Sequence, residues 1–524
     1  MKLKRFFSFL IIFALIAGTI IPAQEEAAPE EQKEKQLTLK EAIFTALKNN
    51  LDLQISMIGA ESAQKSVKMS QGIFIPTLGI NLNAEETNSA STDLLSGAEV
   101  RTAETLFLGL TLSQKLALGG DFSINLSSVK YESNNVFSTI NPYLSSQLTF
   151  NLTQPLLKNF GTLVTRRNIL IAVTDQKKSE AQLKDQILNL IYNVENAYWN
   201  LVFSYQNLNT RRMSLTRSRD LLKQNRIKVK VGAAARIDIL DAEANVASDE
   251  SSVLQAEQGI QTAEEDLKRI LNMSTLPQAI IPTDKPEVKV IDVDFNDFLM
   301  EALDNRPDIR QARLDLKRYK IDVKYYRNQM LPDLQLTAQY HTTGIGGDQL
   351  ITEGNIFTGD YRVIGVIEKD IWKTMQDTFS NLYKNYSIGL RLNIPLSYSA
   401  EKAQLAQAKL QLKSAFLSLK KTENTVYSEV KQGIRSLESH LKLVEAEKIR
   451  LNLEERKLKA EERKLSVGLA SNYDVILRQR EYVQAQTNHL NALRNYNMAL
   501  ADINMKLART FKAYGIKFSN FLKD

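Results

Sequence analysis

The chain has 524 residues, 67 Lys and Arg against 60 Asp and Glu, a formal net charge of +7, three histidines and no cysteine. Its length allows two to four ordinary domains. The lack of cysteine excludes disulfides, thiolate metal sites, thiol nucleophiles and the lipidated cysteine of bacterial lipoproteins. The charge, about +4 once three N-terminal positive charges are removed, is too small to indicate nucleic acid as a partner.

Residues 1–23 read as a secretory signal. Lys2, Lys4 and Arg5 precede a mostly apolar run over 6–21, and Ala23 gives signal peptidase a small residue. The run is shorter than the roughly 20 residues of a spanning helix, and no other segment has that character. Residues 24–36 are acidic and are expected to form a disordered tether.

Over 37–275 the sequence passes from helical to strand periods and back. Thr38-x-x-Glu41 is a capping box opening a short helix that ends near Asn49, and Pro76 stops a longer amphipathic helix over 51–74. Leu78, Ile80 and Leu82 then alternate with Gly79, Asn81 and Asn83, and Leu148, Phe150 and Leu152 alternate with polar residues ahead of Pro155. Between these strands a hairpin over 104–132 turns at Gly119-Gly120-Asp121. It is expected outside a barrel, on the extracellular side, with a six-strand contribution as the alternative. A proline-free helical pattern follows over 164–231, about 100 Å at 1.5 Å per residue, turns at Gly232 and returns over 237–271.

A proline-containing linker over 276–292 leads to a second unit, 293–510, and a tail over 511–524. The second unit repeats the first. Ala46-Leu47-Lys48-Asn49 returns as Ala302-Leu303-Asp304-Asn305, and Pro76 returns as Pro332 at the same displacement. Asp294 takes the N-cap place of Thr38, Pro395 closes a strand as Pro155 does, and Gly468 turns a rod as Gly232 does. The spacing is far above the roughly 20 to 50 residues of solenoid repeats and marks a duplicated half. The linker and tail are expected around the middle of the rods. Four strands of about ten alternating residues in an exported chain carry the signature of an outer-membrane wall. Four are too few to close a barrel alone, so their edges call for other copies. A periplasmic coiled-coil spacer is the competing reading; it accounts for the rods but not for the strands beside them.

Three phrases stand in duplicated order: Gln154-Pro155-Leu156-Leu157, Ala197-Tyr198-Trp199-x-Leu201 and Val231-Gly232-x5-Asp238-Ile239-Leu240-Asp241-Ala242, the last recurring as Val467-Gly468-x5-Asp474-Val475-Ile476. With them the chain resembles the TolC-like outer membrane efflux proteins over 37–509. The resemblance implies an α+β membrane protein of the outer membrane with a long periplasmic extension. It implies a homotrimer in which each chain gives four strands to a twelve-stranded barrel and two antiparallel helical hairpins to a periplasmic tunnel. It further implies a passive exit duct of an efflux or type I secretion system, set in outer-membrane lipid and docked to a periplasmic adaptor and an inner-membrane pump. On this pattern Pro76, Pro155, Pro332 and Pro395 lie at barrel–tunnel junctions, and Gly232 and Gly468 at turns where the adaptor docks. Asp238, Asp241 and Asp474 become candidates for the periplasmic aperture. Leu477 stands where the pattern has a second acid and Ala470 where it has an arginine, so the lock differs in detail.

Signs of chemistry are missing. His341, His440 and His489 are spread over a strand and two rods, which argues against a metal cluster or a catalytic triad, and no enzyme activity or cofactor is expected. Gly344-x-Gly346-Gly347 lacks the Lys-Ser or Lys-Thr of a phosphate loop and reads as a barrel loop. The methionines are scattered and outline no metal pathway. Gly232 and Gly468 are adequately explained as helix C-caps, and Asp238 and Asp474 as first-turn carboxylates favoured on local grounds.

Overall fold

The structure, a computed structural model, describes residues 35–91, 99–135, 137–275, 277–355 and 360–522. The signal and residues 24–34 of the expected tether lie outside the described residues. The first half runs β1 (Lys35–Leu37), α1 (Leu39–Asn49), α2 (Leu51–Gln71), β2 (Thr77–Ala90), β3 (Val100–Lys115), β4 (Asp121–Ser133), β5 (Ile140–Pro155), α3 (Thr162–Thr165), α4 (Arg167–Lys230) and α5 (Arg236–Ile270). The second runs β6 (Ile280–Pro282), α6 (Phe295–Asn305), α7 (Pro307–Gln329), β7 (Asp333–Asn355), β8 (Asp360–Lys369), α8 (Ile371–Phe379), β9 (Tyr383–Asn393), α9 (Ser399–Ser466), α10 (Asn472–Lys506) and α11 (Thr510–Tyr514).

Local chemistry sets the matched helix starts. The Thr38 hydroxyl accepts from the Glu41 N–H at 3.2 Å while the Glu41 carboxylate accepts from the Thr38 N–H at 3.0 Å, satisfying two donors the helix leaves open. Asp294 caps α6 by accepting from the Asp297 N–H at 2.9 Å. The rods α4 and α9, 64 and 68 residues long, each reach about 100 Å. Heptad pairing ties α4 to its returning helix: Arg212, Arg219 and Arg226 meet Glu257, Glu250 and Glu243 at 2.7 to 2.8 Å. These rungs are exposed and contribute little each, but they fix the register.

The duplication is visible in two equivalent cores. Ala46 of α1 packs with Ile187, Ile191, Val194 and Leu201 of α4, and its counterpart Ala302 of α6 packs with Val426, Val430 and Leu437 of α9. The linker and tail wrap these cores. The Tyr198 hydroxyl bonds Leu37 O at 2.9 Å and the Asp284 carboxylate at 2.7 Å. That of Tyr496 donates to Lys289 O, and Phe511, Tyr514 and Phe518 lie against the first core. Lys35 and Gln36, assigned above to the tether, are instead part of β1, which pairs in parallel with β6 because Leu37 is buried there.

Four strands named from the sequence, β2, β5, β7 and β9, join one antiparallel sheet. The hairpin β3–β4 does not lie outside it. Its strands sit between β2 and β5, with Leu78 opposite Leu112, Leu112 opposite Ile124 and Ile124 opposite Phe150. The register explains the correction, since side chains directly across a ladder share a face. In this register Leu106, Leu108, Leu110 and Leu112 continue the apolar face of Leu78, Ile80 and Leu82, whereas a hairpin in water would expose them. Its closing turn is seated on the rod entrance: Gly161 N donates to Leu118 O at 3.1 Å, and at Gly119, φ +98°, a Cβ would lie 2.4 Å from Asn159 O.

A second correction concerns Gly344, Gly346 and Gly347, expected in a loop. They lie inside the 23-residue strand β7, where α8 leaves no room for a side chain at Gly344 or Gly346 and the Pro142 carbonyl of β5 leaves none at Gly347. β8 and β9 share one edge of β7, pairing with residues 347–355 and 333–343 respectively, and α8 bridges them. Among the described residues no helix is long and apolar enough to cross a membrane; the two-faced sheet is the element suited to that.

Candidate gate and docking site

The ends of the rods farthest from the sheet are two similar turns. Gly232 and Gly468 have φ of +77° and +78°, the left-handed region where glycine carries no Cβ penalty. Each closes a Schellman motif. Ala233 N bonds Lys228 O at 2.8 Å and Gly232 N bonds Val229 O at 3.0 Å, while Leu469 N bonds Lys464 O at 2.9 Å and Gly468 N bonds Leu465 O at 3.3 Å.

The candidate aperture acids are placed at the starts of the returning helices. Asp238 accepts from the Ala235 N–H at 3.1 Å. Asp474 accepts from the Ser471 N–H at 3.0 Å and from the Ser471 hydroxyl at 2.6 Å; the hydroxyl first, then the N–H, hold its carboxyl below the usual range. Asp241 is exposed on the next turn of α5. Both capping acids thus have local partners within their own hairpin. The four prolines stand where strands meet helices: Pro76 and Pro332 lie just before β2 and β7, Pro155 ends β5, and Pro395 follows β9.

What sequence reasoning missed is a polar node joining the two hairpins about two to four turns above the tips. Asn245 of α5, 3% exposed, donates to the Ser218 hydroxyl of α4 at 2.8 Å. Gln479 of α10 donates to Ser214 O at 3.2 Å and to the same Ser218 hydroxyl at 3.4 Å. Arg480 bonds Asn245 Oδ1 at 3.2 Å and Asp249 accepts from Ser214 at 3.2 Å. Below and around them, Leu221, Leu458, Val475, Ile476, Tyr482 and Val483 form a separate apolar cluster, and the Arg217 guanidinium lies 5.0 Å from the Tyr482 ring centre. A signal was present. The apolar stripe of α10, Val475, Ile476, Tyr482 and Val483, is interrupted at its own helical spacing by Gln479, and a polar group in a core stripe needs a partner.

A sheet with one apolar face that continues into two long helical hairpins, tied together at their far tips, defines a channel-tunnel. An outer membrane efflux protein family model matches residues 123–273 and 298–507, one segment per half. The chain belongs to the outer membrane efflux protein family. Outer membrane efflux protein BepC of Brucella suis biovar 1 (strain 1330) is 22% identical over 433 residues, 82% of this chain and 74% of BepC. Among solved structures, the Campylobacter jejuni CmeC outer membrane channel superposes with a TM-score of 0.64 at 18% identity, covering 93% of this chain and 90% of CmeC. The outer membrane protein VceC of Vibrio cholerae gives 0.61 at 16% identity, covering 90% of this chain and 95% of VceC. The protein is therefore an outer-membrane exit duct with a periplasmic helical tunnel, and the spacer reading falls away.

Proposed function

We propose that this duct works as a homotrimer, closed at rest at its hairpin tips and opened by a periplasmic adaptor that links it to an inner-membrane pump. The observation carrying the trimer is the open sheet. Its outer strands, β2 on one side and β8 with β9 on the other, each pair on one edge only. Unpaired backbone groups cost several kcal/mol each in hydrocarbon, and other copies of the same sheet satisfy them by closed symmetry. Six strands of each chain, β2, β3, β4, β5, β7 and β9, share the apolar face. Three copies then hold eighteen wall strands, the twelve of the family pattern plus one inserted hairpin from each. Electron microscopy of the detergent-solubilised protein tests this directly: an elongated three-fold particle with eighteen wall strands supports it, and a stable monomer refutes it.

Docking and gating belong to the tips. Val231, Leu469 and Tyr473 are exposed apolar side chains at the turns, suited to burial under an adaptor rather than to water. Asp238, Asp241 and Asp474 from three copies would gather carboxylates around a narrow axis, favouring cations. Asp474→Ala should weaken block of planar-bilayer conductance by multivalent cations added on the periplasmic side. Unchanged block with Asp238→Ala and Asp474→Ala combined leaves both as helix caps only. The 276–292 linker and 511–524 tail serve as a brace around the rods, and no catalytic, metal or cofactor role is assigned.

A further inference from the structure

We infer that α8 is a lipid-facing element of the barrel wall, mounted on its outer surface and bathed by the acyl and headgroup boundary of the outer membrane. The register shows a gap in the apolar face. The row that carries Leu82 and Leu108 continues through Ser128 to Ser146 and Gly344, and the row above passes from Leu106 through Lys130 and Leu144 to Gly346. On β5 and β7 the lipid-facing surface thus turns into serine, threonine and glycine, a composition unsuited to hydrocarbon.

The helix α8 lies over that gap, on the same face. A Cβ on Gly344 would fall 1.9 Å from Thr374 O, and one on Gly346 would fall 1.9 Å from the Thr374 hydroxyl. Thr342 donates to Thr378 O at 2.6 Å, and Thr378 donates to Ser146 O at 3.1 Å. Thr374 and Thr378 are fully buried. Helical spacing turns Trp372 and Phe379 away from the sheet, 74% and 57% exposed, with the exposed polar side chains of Lys373 and Gln376 beside them and Met375 half-buried on the flank. Small residues seat the helix and its large apolar residues restore the band that the sheet interrupts. Tyr386, exposed on the same face of β9 opposite Tyr340, continues the aromatic surface beside it, as in the girdles of outer-membrane barrels. Lipid is the occupant because this patch is continuous with the lipid-facing wall on both sides, an inference that rests on the exit-duct reading.

The chain has two tryptophans, Trp199 and Trp372, and Trp199 packs half-buried against the first helical core. The trimer, reconstituted in phosphatidylcholine vesicles, is compared with vesicles whose acyl chains carry bromine near the headgroup or near the bilayer centre. In Trp199→Phe, Trp372 emission should be blue-shifted and mostly lost to bromine near the headgroup, and aqueous acrylamide should have little effect. Gly344→Leu, which displaces α8, should reverse both. If Trp199→Phe fails to fold, the difference between the wild type and Trp372→Phe gives the same readout. Protein that floats with the vesicles yet shows water-exposed, bromine-insensitive Trp372 overturns the inference while leaving the duct intact; protein that does not float overturns the duct.

Discussion

Replacing Glu195 by Gln should stabilise the tunnel above neutral pH and leave it unchanged in acid. Glu195 sits on α4 beside Val194 and Tyr198, 5% exposed. One carboxylate oxygen accepts from the Tyr514 hydroxyl, and the other has no protein partner. Burial pushes its carboxyl up from 4.5 to about 7, with the Tyr514 bond acting the other way. The raised value means that the native chain holds a proton which the unfolded chain releases. Glu195 is neutral and harmless below about pH 4.5, and its cost grows until the native carboxyl ionises near 7. At about pH 8 the difference is about 3 kcal/mol, and at about pH 4 it is close to zero. Gln imitates the protonated acid and still accepts from Tyr514. The assay is the melting temperature of Glu195→Gln minus that of the wild type, from about pH 4 to 9. It should rise by several degrees between about 4.5 and 7 and then level off. A difference independent of pH would refute the assignment of the cost to the buried charge.

Gln479→Ala removes both bonds to α4, a loss of about 1–3 kcal/mol at about 0.5–1.5 per bond; hydrogen exchange should rise near residues 214–218 and 475–483 while the rods near the sheet stay protected. Tyr198→Phe removes one hydrogen bond from the Leu37 carbonyl, which keeps the Thr283 N–H, and one from Asp284, which keeps the Leu39 N–H; it should cost about 1–2 kcal/mol and speed proteolysis before residue 39. Gly232→Ala and Gly468→Ala should each cost about 1 kcal/mol through positive φ alone, since a Cβ at either turn would have nothing within 4 Å; equal melting shifts would bear this out, and a much larger one at either turn would show a contact there.

Much of the fold was legible because it is written in short-range rules. Thr38 and Asp294 announce helix starts, Gly232 and Gly468 announce ends, and the period changes from 3.6 to 2 across Pro76 and Pro332. The observed rods begin and end within a few residues of the ranges expected from proline-free periodicity. The place of the hairpin was not legible, because alternation says which residues share a face but not which strand is the neighbour. Nor was α8: it is nine residues long, and its only local signal is the Asp370 cap on the Lys373 N–H. The polar node among Ser218, Asn245 and Gln479 is assembled across three helices, so no single stretch of sequence spells it out.

The hairpin β3–β4 also bears on how such a duct changes over evolutionary time. It enters between β2 and β5 without reversing either, because an up strand and a down strand arrive together. Its turn rests on the rod entrance but adds no helix to it. The width of the wall is thereby a character that selection can alter separately from the bore and length of the rods. In an assembly of three copies the wall widens by six strands at a step, and the opening presented to the outside changes while the helical tunnel keeps its dimensions.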